Sequence, residues 1–411
     1  MRQLFLIAFL TAVVVSGLTL VNPVHFSTVK ASTGVIGIIT SNTTWTKANS
    51  PYVLTGPTAV NKGVTLTIEP GVIVNLGNFY LQVNGTLNAQ GTNGDKIIFI
   101  SAYHNIYPPN NINLPTANAE CTIENAILSK TSILSTIGTS VKINKCALTD
   151  EAGVNVWGSS IISNCNITGE VFTRGSAVVS NNTILNGIDA SGSYTISGNN
   201  VTNNVGIWVM NVGETGTISD NSISGGSTAG INLAGSATIE RNLITNNQYG
   251  ISVRSTIDNS TIQNNTISNN FIGIVDPSPS QTIIYNNIQS NSNYNIQVGT
   301  QSSVNVTYNW WGTTDAQTIN QKIYDNKNDF NLGTVTFDPF LTEPNPQATP
   351  DQNAHTPTLT PNPPTADSPS TSPTPSQEPQ HPDLAIILGV TIVAVVLGAG
   401  LGLLIYLIKR K

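Results

Sequence analysis

The stretch Ser260-Thr-Ile-Gln-Asn-Asn-Thr-Ile267 sets the pattern of the chain, because neighbouring segments repeat it in register. Its first isoleucine belongs to an apolar column formed by Ile123, Ile143, Ile162, Val179, Ile196, Ile218, Ile239, Ile262, Ile283 and Val306. Its second isoleucine belongs to a column formed by Leu128, Leu148, Ile167, Ile184, Val201, Ile223, Ile244, Ile267, Ile288 and Trp311. Between the two columns stand Ala126, Cys146, Cys165 and then Asn182, Asn199, Asn221, Asn242, Asn265, Asn286 and Asn309.

A Gly-aliphatic step follows in most repeats, as in Gly187-Ile188 and Gly250-Ile251. A period of roughly 20 residues, built from β-branched residues, Asn and Gly, indicates a solenoid of stacked short strands. Stacking at about 4.8 Å would place each isoleucine on the next and build one continuous core. A leucine-rich repeat has a similar period, but its Leu-rich strand and helical return are missing. The Asn column predicts a ladder of amide hydrogen bonds at a sharp turn, because Asn tolerates left-handed backbone.

These repeats resemble those of right-handed parallel β-helix proteins, over about residues 35 to 341. The opening coils, with Gly63-Val-Thr-Leu-Thr-Ile-Glu-Pro-Gly-Val-Ile-Val74, are also similar to that group. The resemblance implies an all-β, right-handed parallel β-helix. The superfamily includes pectate-lyase-like enzymes, carbohydrate-binding and sugar-hydrolysis domains, and NosD-like periplasmic proteins associated with copper. Such a fold hosts many activities, so the resemblance does not select one.

The ends of the chain predict export and membrane anchoring. An apolar run follows Arg2, which is typical of a signal peptide, although an uncleaved anchor is the alternative. The uncharged segment 384–408 is long enough to cross a bilayer, and Lys409, Arg410 and Lys411 after it place the C-terminus in the cytoplasm. The β-helix would then be extracellular and anchored by one transmembrane helix.

The predicted parts of the chain follow from these boundaries. They are a signal peptide at 1–31, an N-terminal cap with the first coils at 35–101, a loop insertion at 102–119, regular coils at 120–312, a C-terminal cap at 313–341, a stalk rich in Pro, Thr and Ser at 342–382, the transmembrane helix at 384–408 and a basic tail at 409–411. The loop could shape a ligand groove or be a neutral insertion. Trp310 and Trp311 could close the core or stack on sugars.

Composition and metal-ligand content exclude several functions. Only 9% of residues are charged, the net charge is −6, and no basic run precedes the last residues, so nucleic-acid binding is not expected. The chain has 4 His and 2 Met, which are scattered, so the copper role of NosD-like relatives does not transfer and no cofactor is expected. Sequons for N-glycosylation begin at Asn42, Asn84, Asn166, Asn181, Asn200, Asn259, Asn264 and Asn305, which allows a glycoprotein.

Two repeat positions offer other interactions. Asp220 and Arg241 share one repeat position on successive coils, which predicts an ion pair. The alternative is a lyase-type catalytic site. Acids such as Glu240 and Asp258 are spread over different coils, however, and do not form the carboxylate cluster that such a site needs. Cys146 and Cys165 stack in the Asn column and could form a disulfide or remain buried thiols. Cys121 has no evident partner.

The position after the Gly-aliphatic step is the candidate binding site. Strand alternation should point its residues outward in one vertical strip, composed of Phe172, Asp189, Trp208 and Asn232. An aromatic ring, an acid and an amide can stack on a sugar and bond its hydroxyls, whereas one carboxylate is fewer than glycoside hydrolysis needs. We expect a monomeric surface protein that binds polysaccharide or glycoconjugate. The alternatives are a polysaccharide lyase or glycoside hydrolase, and a passive structural component of the surface coat.

Overall fold

The computed structural model describes residues 31–103, 111–115, 121–136, 138–210, 214–254 and 259–350. The described chain is a parallel β-solenoid with three faces, which confirms the all-β right-handed β-helix predicted from the repeats. Each regular coil contributes one strand to each face, and each internal strand pairs in parallel with its equivalents in the coils before and after it. Burial alternates along the strands, so the inward side chains of all three faces form one core.

Face 1 is the 12-stranded sheet. Its strands are Thr43–Trp45, Thr65–Ile68, Thr86–Gln90, Cys121–Glu124, Val141–Asn144, Ser160–Ser163, Ala177–Ser180, Tyr194–Ser197, Gly216–Ser219, Ala237–Glu240, Thr261–Gln263 and Thr282–Ile284. The first apolar column runs through this face, where Ile239 pairs with Ile262 and Ile262 with Ile283.

Faces 2 and 3 form the 25-stranded sheet, because the strands Thr33–Ile39 and Tyr52–Val60 extend across both. Face 2 contains Ile73–Gly77, Ile97–Ser101, Ala126–Ser129, Ala147–Thr149, Asn166–Ile167, Thr183–Ile184, Asn200–Asn204, Ser222–Gly226, Leu243–Thr245, Thr266–Ser268 and Asn287–Gln289. Face 3 contains Leu81–Val83, Ile112–Leu114, Ile133–Ser135, Val154–Trp157, Val171–Arg174, Ile188–Ser191, Ile207–Met210, Ala229–Ala234, Tyr249–Val253, Ile272–Val275, Tyr294–Gln297 and Ile323–Tyr324.

Aromatic residues lie at both ends of the described core. At the N-terminal end the rings of Trp45 and Tyr52 stack with centroids 4.8 Å apart, and a 3-10 helix at Lys47–Asn49 lies between them in sequence. At the C-terminal end come Val304–Asn305, the helix Ala316–Gln321 and Val335–Thr336. The Asp315 side chain caps that helix by accepting from two backbone N–H groups.

The Asn ladder lies at the corner between faces 1 and 2. In each step the Oδ1 atom of one Asn accepts from the backbone N and Nδ2 of the Asn one coil earlier, as in Asn221 to Asn242 at 3.0 and 2.9 Å. The left-handed residue of the turn is the one before the ladder Asn, for example Asp220 with φ 57° and Arg241 with φ 53°. The expectation that the ladder Asn itself has a left-handed backbone is therefore wrong. The turn depends on the hydrogen bonds of the Asn amide and not on the ability of Asn to adopt left-handed backbone.

The prediction of an inserted loop at 102–119 is wrong in part. Ile112–Leu114 is a strand of face 3 that pairs with Leu81 and with Ile133. Ile112 and Leu114 are fully buried, because their alternation with Asn113 matches the inward and outward sides of the strand. Residues 104–110 and 116–120 of that segment lie outside the described residues.

The folded region extends beyond the predicted start of the stalk at 342. Asn345 exchanges hydrogen bonds with the Asn287 side chain at 2.8 and 3.0 Å and donates to Asn264, while Ala348 is fully buried. The first residues of the predicted stalk therefore lie against the coils. No helix in the described part of the chain is long and apolar enough to span a membrane. The predicted helix 384–408, the basic tail and residues 1–30 are outside that part.

Candidate functional site

The four residues of the predicted strip occupy one outward column of face 3. Phe172 pairs with Asp189, Asp189 with Trp208, and Trp208 with Asn232. The backbone register therefore places them on successive coils at the parallel-strand spacing of about 4.8 Å. The same column continues through Ser252, Val275 and Gln297. We call the four predicted residues the polar strip.

Arg174 organises the first half of the polar strip. It lies two residues after Phe172 on the same side of the strand, and its guanidinium carbon is 5.4 Å from the Phe172 ring centroid. Its Nη1 and Nη2 atoms donate to Asp189 Oδ1 and Oδ2 at 2.8 and 3.2 Å, a bidentate ion pair. The Asp189 carboxylate is therefore held in a fixed orientation, and both charges are largely shielded from solvent.

Arg254 covers the second half of the strip. Its guanidinium carbon is 5.6 Å from the Trp208 ring centroid, and its Nε donates to Asn232 Oδ1 at 3.4 Å. Asn232 is only 1% exposed. The expectation of an outward, accessible amide at this position is wrong, because Arg254 and the neighbouring coils bury it. Phe172, Asp189 and Trp208 keep partly exposed side chains.

Two more residues lie beside the polar strip, Trp157 on face 3 and Glu170 immediately before the face 3 strand Val171–Arg174. Trp157 pairs with Arg174 one coil later and is 38% exposed, so a third aromatic ring lies beside the strip. Glu170 precedes Val171, and burial together with the nearby Asp189 charge raises the pKa of its carboxyl, while Arg174 partly offsets the shift. Sequence reasoning missed Trp157, Arg174 and Arg254 as site residues. Strand alternation was the available signal, because each lies two residues after a member of the same outward column.

A groove of about 570 Å³ lies where the column continues. Its lining includes Ser252, Val275 and Gln297 of the column, together with Arg254, Asp276 and Ser278. Asp276 has a left-handed backbone, with φ 55°, and its carboxyl lies against Gly299. Burial raises the pKa of Asp276, and the Arg254 charge opposes that rise.

The Asp220–Arg241 pair forms as predicted, at the corner between faces 1 and 2. Arg241 Nε and Nη2 donate to the two carboxylate oxygens of Asp220 at 2.9 and 3.0 Å, and Arg241 Nη1 lies 2.7 Å from Glu240 Oε1. The bond to Asp220 is the main cause that raises the pKa of Arg241. This geometry joins two left-handed turns, so its role is structural. Asp258, another acid considered for catalysis, lies outside the described residues.

The three cysteines are free and buried. Cys165 Sγ accepts from the Cys146 backbone N at 3.4 Å, in the place that an Asn Oδ1 takes elsewhere in the ladder. The disulfide alternative is therefore not the one present. Hydrogen bonding to Cys165, and burial, raise the pKa of the Cys146 thiol, which makes it a poor nucleophile.

Metal ligands do not cluster in the described ranges: no group of three or more His, Cys, Asp or Glu is placed to hold an ion. All four His, namely His25, His104, His355 and His381, fall outside these ranges. Both Trp residues near the C-terminal end are described. Trp311 is 3% exposed and packs edge-on against Phe337, whereas Trp310 is half-buried and donates to Gln289.

Comparison with known proteins identifies the repeat and nothing finer. The family described as "Right handed beta helix region" matches residues 206–328, which hold Trp208, Asn232 and the groove. No curated protein and no solved structure matches the chain. Its parallel three-faced coils and this match together identify the chain as a right-handed parallel β-helix repeat protein.

Proposed function

We propose that this chain is a membrane-anchored cell-surface protein whose β-helix binds polysaccharide or glycoconjugate through face 3. The observation that carries the proposal is the polar strip with its two arginines. Three partly exposed aromatic rings, Trp157, Phe172 and Trp208, lie beside a fixed Arg174–Asp189 pair. Sugar rings present both C–H faces and hydroxyls, so a surface that combines rings with oriented polar groups fits them.

The register of the strip supports a linear ligand that crosses several coils. Phe172, Asp189 and Trp208 stand on successive strands, so their side chains repeat at about 4.8 Å along the solenoid axis. An extended polysaccharide lying along this axis could contact each coil in turn. Anchoring rests on the uncharged segment 384–408 and the basic residues after it, which favour an extracellular β-helix.

Trp208→Ala and Asp189→Ala should each weaken glycan binding by about tenfold or more, because each removes a central contact. The first removes a stacking surface, and the second releases Arg174 from its fixed position. The measurement is a glycan-array screen of the full-length protein, followed by titration of each glycan that binds. Phe271→Ala is the matched control, because Phe271 is 44% exposed and lies off the polar strip. Unchanged binding in both strip variants would remove the strip from the proposal.

A glycoside hydrolase is the second candidate, and Glu170 is the observation that favours it. Glycosidases use two carboxyl groups with separated pKa values, and Glu170 has a raised pKa close to the Asp189 carboxylate. Release of new reducing ends from a bound polysaccharide, abolished by Glu170→Gln while binding persists, would establish this activity. Binding without release would favour a lectin or adhesin. Absence of all glycan binding would favour a passive coat component.

A further inference from the structure

The groove at the end of the polar strip contains two opposite charges that do not pair directly. Among the lining residues Arg254 and Asp276 are the charged groups, and Tyr249 is the other titratable one. In the described part of the chain, Arg254 makes one side-chain hydrogen bond, from Nε to Asn232 Oδ1, and no ion pair within 4.0 Å. Its Nη1 and Nη2 donors are therefore available to a ligand.

Arg254 is nevertheless held in a defined position. The Trp208 ring supports its guanidinium on one side, at 5.6 Å, and the Asn232 oxygen binds its Nε. A cation stacked on an aromatic ring loses little further entropy when it binds an anion, because its orientation is already restricted. Bidentate contact with a carboxylate or a similar planar group suits the remaining guanidinium edge.

The residues beneath Arg254 carry buried donors that lack partners among the described residues. Asn232 is 1% exposed, and its Nδ2 has no hydrogen-bond acceptor among the described residues. Trp208 Nε1 is also buried without an acceptor there. Neither residue lines the groove, so a ligand there meets the exposed guanidinium of Arg254 and not these buried donors.

We propose that the groove is an anion subsite, in which Arg254 binds the carboxylate or sulfate of an acidic sugar residue at one end of a bound polysaccharide. The inference rests on the proposed glycan binding and names the chemical class of that ligand. Groove residues Ser252 and Gln297 supply hydroxyl and amide groups for the sugar hydroxyls. The volume of about 570 Å³ lies within the usual range for small-ligand sites.

Asp276 makes this subsite sensitive to pH. Its ionised carboxylate would repel an incoming anion, whereas its protonated form would not, and burial already raises its pKa. Affinity is therefore highest below the Asp276 pKa of the free protein and falls as pH rises through that value. Acidic glycans should therefore bind the full-length protein more tightly as the pH is lowered from neutrality. Asp276→Asn should remove this dependence and strengthen binding at neutral pH.

The experiment compares an oligosaccharide that carries carboxylates with the same oligosaccharide after its carboxyl groups are reduced to alcohols. A sulfated oligosaccharide forms the third arm and distinguishes the two anion types. Wild-type protein should bind an acidic form about tenfold more tightly than the neutral one. Arg254→Gln should remove that preference. Lys142→Gln is the control, because it removes the same charge from the outward side of face 1.

Each outcome of this comparison is decisive. Equal affinity of wild-type protein for the acidic and reduced forms, or an acid preference that survives Arg254→Gln, would overturn the anion subsite. In either case Trp208-dependent binding of neutral glycans would leave the proposed function intact. Failure of every glycan to bind would overturn the proposed function itself. Thermal unfolding at the wild-type temperature would show that Arg254→Gln has not acted through folding.

Discussion

Asn242→Ala should lower the free energy of unfolding by about 3 kcal/mol or more, because it leaves several buried polar groups without partners. Asn242 is fully buried. Its Oδ1 accepts from Asn221 at two atoms, and its Nδ2 donates to Ile218 O, Glu240 O and Asn265 Oδ1 at 2.8 to 3.0 Å. Alanine replaces none of these bonds. Chemical denaturation followed by circular dichroism measures the loss.

Asn166→Ala is the matched control for the ladder. Asn166 is exposed on a face 2 strand and makes no side-chain hydrogen bond with the described residues, so its replacement should change stability by less than about 0.5 kcal/mol. Asn242→Asp adds a second comparison. Aspartate keeps the shape of the side chain and its Oδ1 acceptor, but an oxygen replaces the Nδ2 donor and then faces the three acceptors that Nδ2 bonded. Equal stability of Asn242→Ala and Asn166→Ala would mean that the ladder contributes little to folding.

The fold was predictable because the inward positions are dictated by one requirement, the continuous apolar core. Ile239, Ile262 and Ile283 occupy the same repeat position in the sequence, and the same residues pair in register on face 1. The amide ladder followed from the same alignment, since a polar residue repeated at an inward turn must bond to its own equivalents. A second ladder, Asn247–Asn270–Asn291, has the same bonds and the same signal, an Asn repeated once per coil.

The candidate site was only partly predictable, because outward positions carry no such repeated requirement. Alternation placed Phe172, Asp189 and Trp208 in one column, but it could not show that long side chains from neighbouring positions reach across coils. Arg254 extends back to Trp208, whose coil lies two strands earlier, and in doing so buries Asn232. The groove depends on Asp276 and Ser278, which follow a strand in irregular backbone that the repeat pattern does not describe.

Closure of the core at its C-terminal end depends on an aromatic cluster. Trp311 continues the inward column of face 2 after Ile288 and is 3% exposed. Its ring centroid lies 6.3 Å from that of Phe337, and the Phe337 ring centroid lies 6.1 Å from that of Phe340. Removing this ring leaves the last coil open to water and creates a large cavity. Trp311→Ala should therefore lower the free energy of unfolding by about 3 to 5 kcal/mol.

Trp310→Ala is the comparison variant that tests whether the aromatic residues at this end close the core or bind sugar. Trp310 is half-buried and donates to Gln289 Oε1 at 2.8 Å, so its loss should cost only about 1 kcal/mol. In a repeat protein each coil is stabilised by its neighbours, so a damaged cap should loosen the terminal coils first. Hydrogen exchange should show faster exchange near Val304–Asn305 in Trp311→Ala than in Trp310→Ala. If Trp311→Ala kept full stability but lost glycan binding, the ring would be a ligand contact and the core would be closed by Phe337 and Phe340.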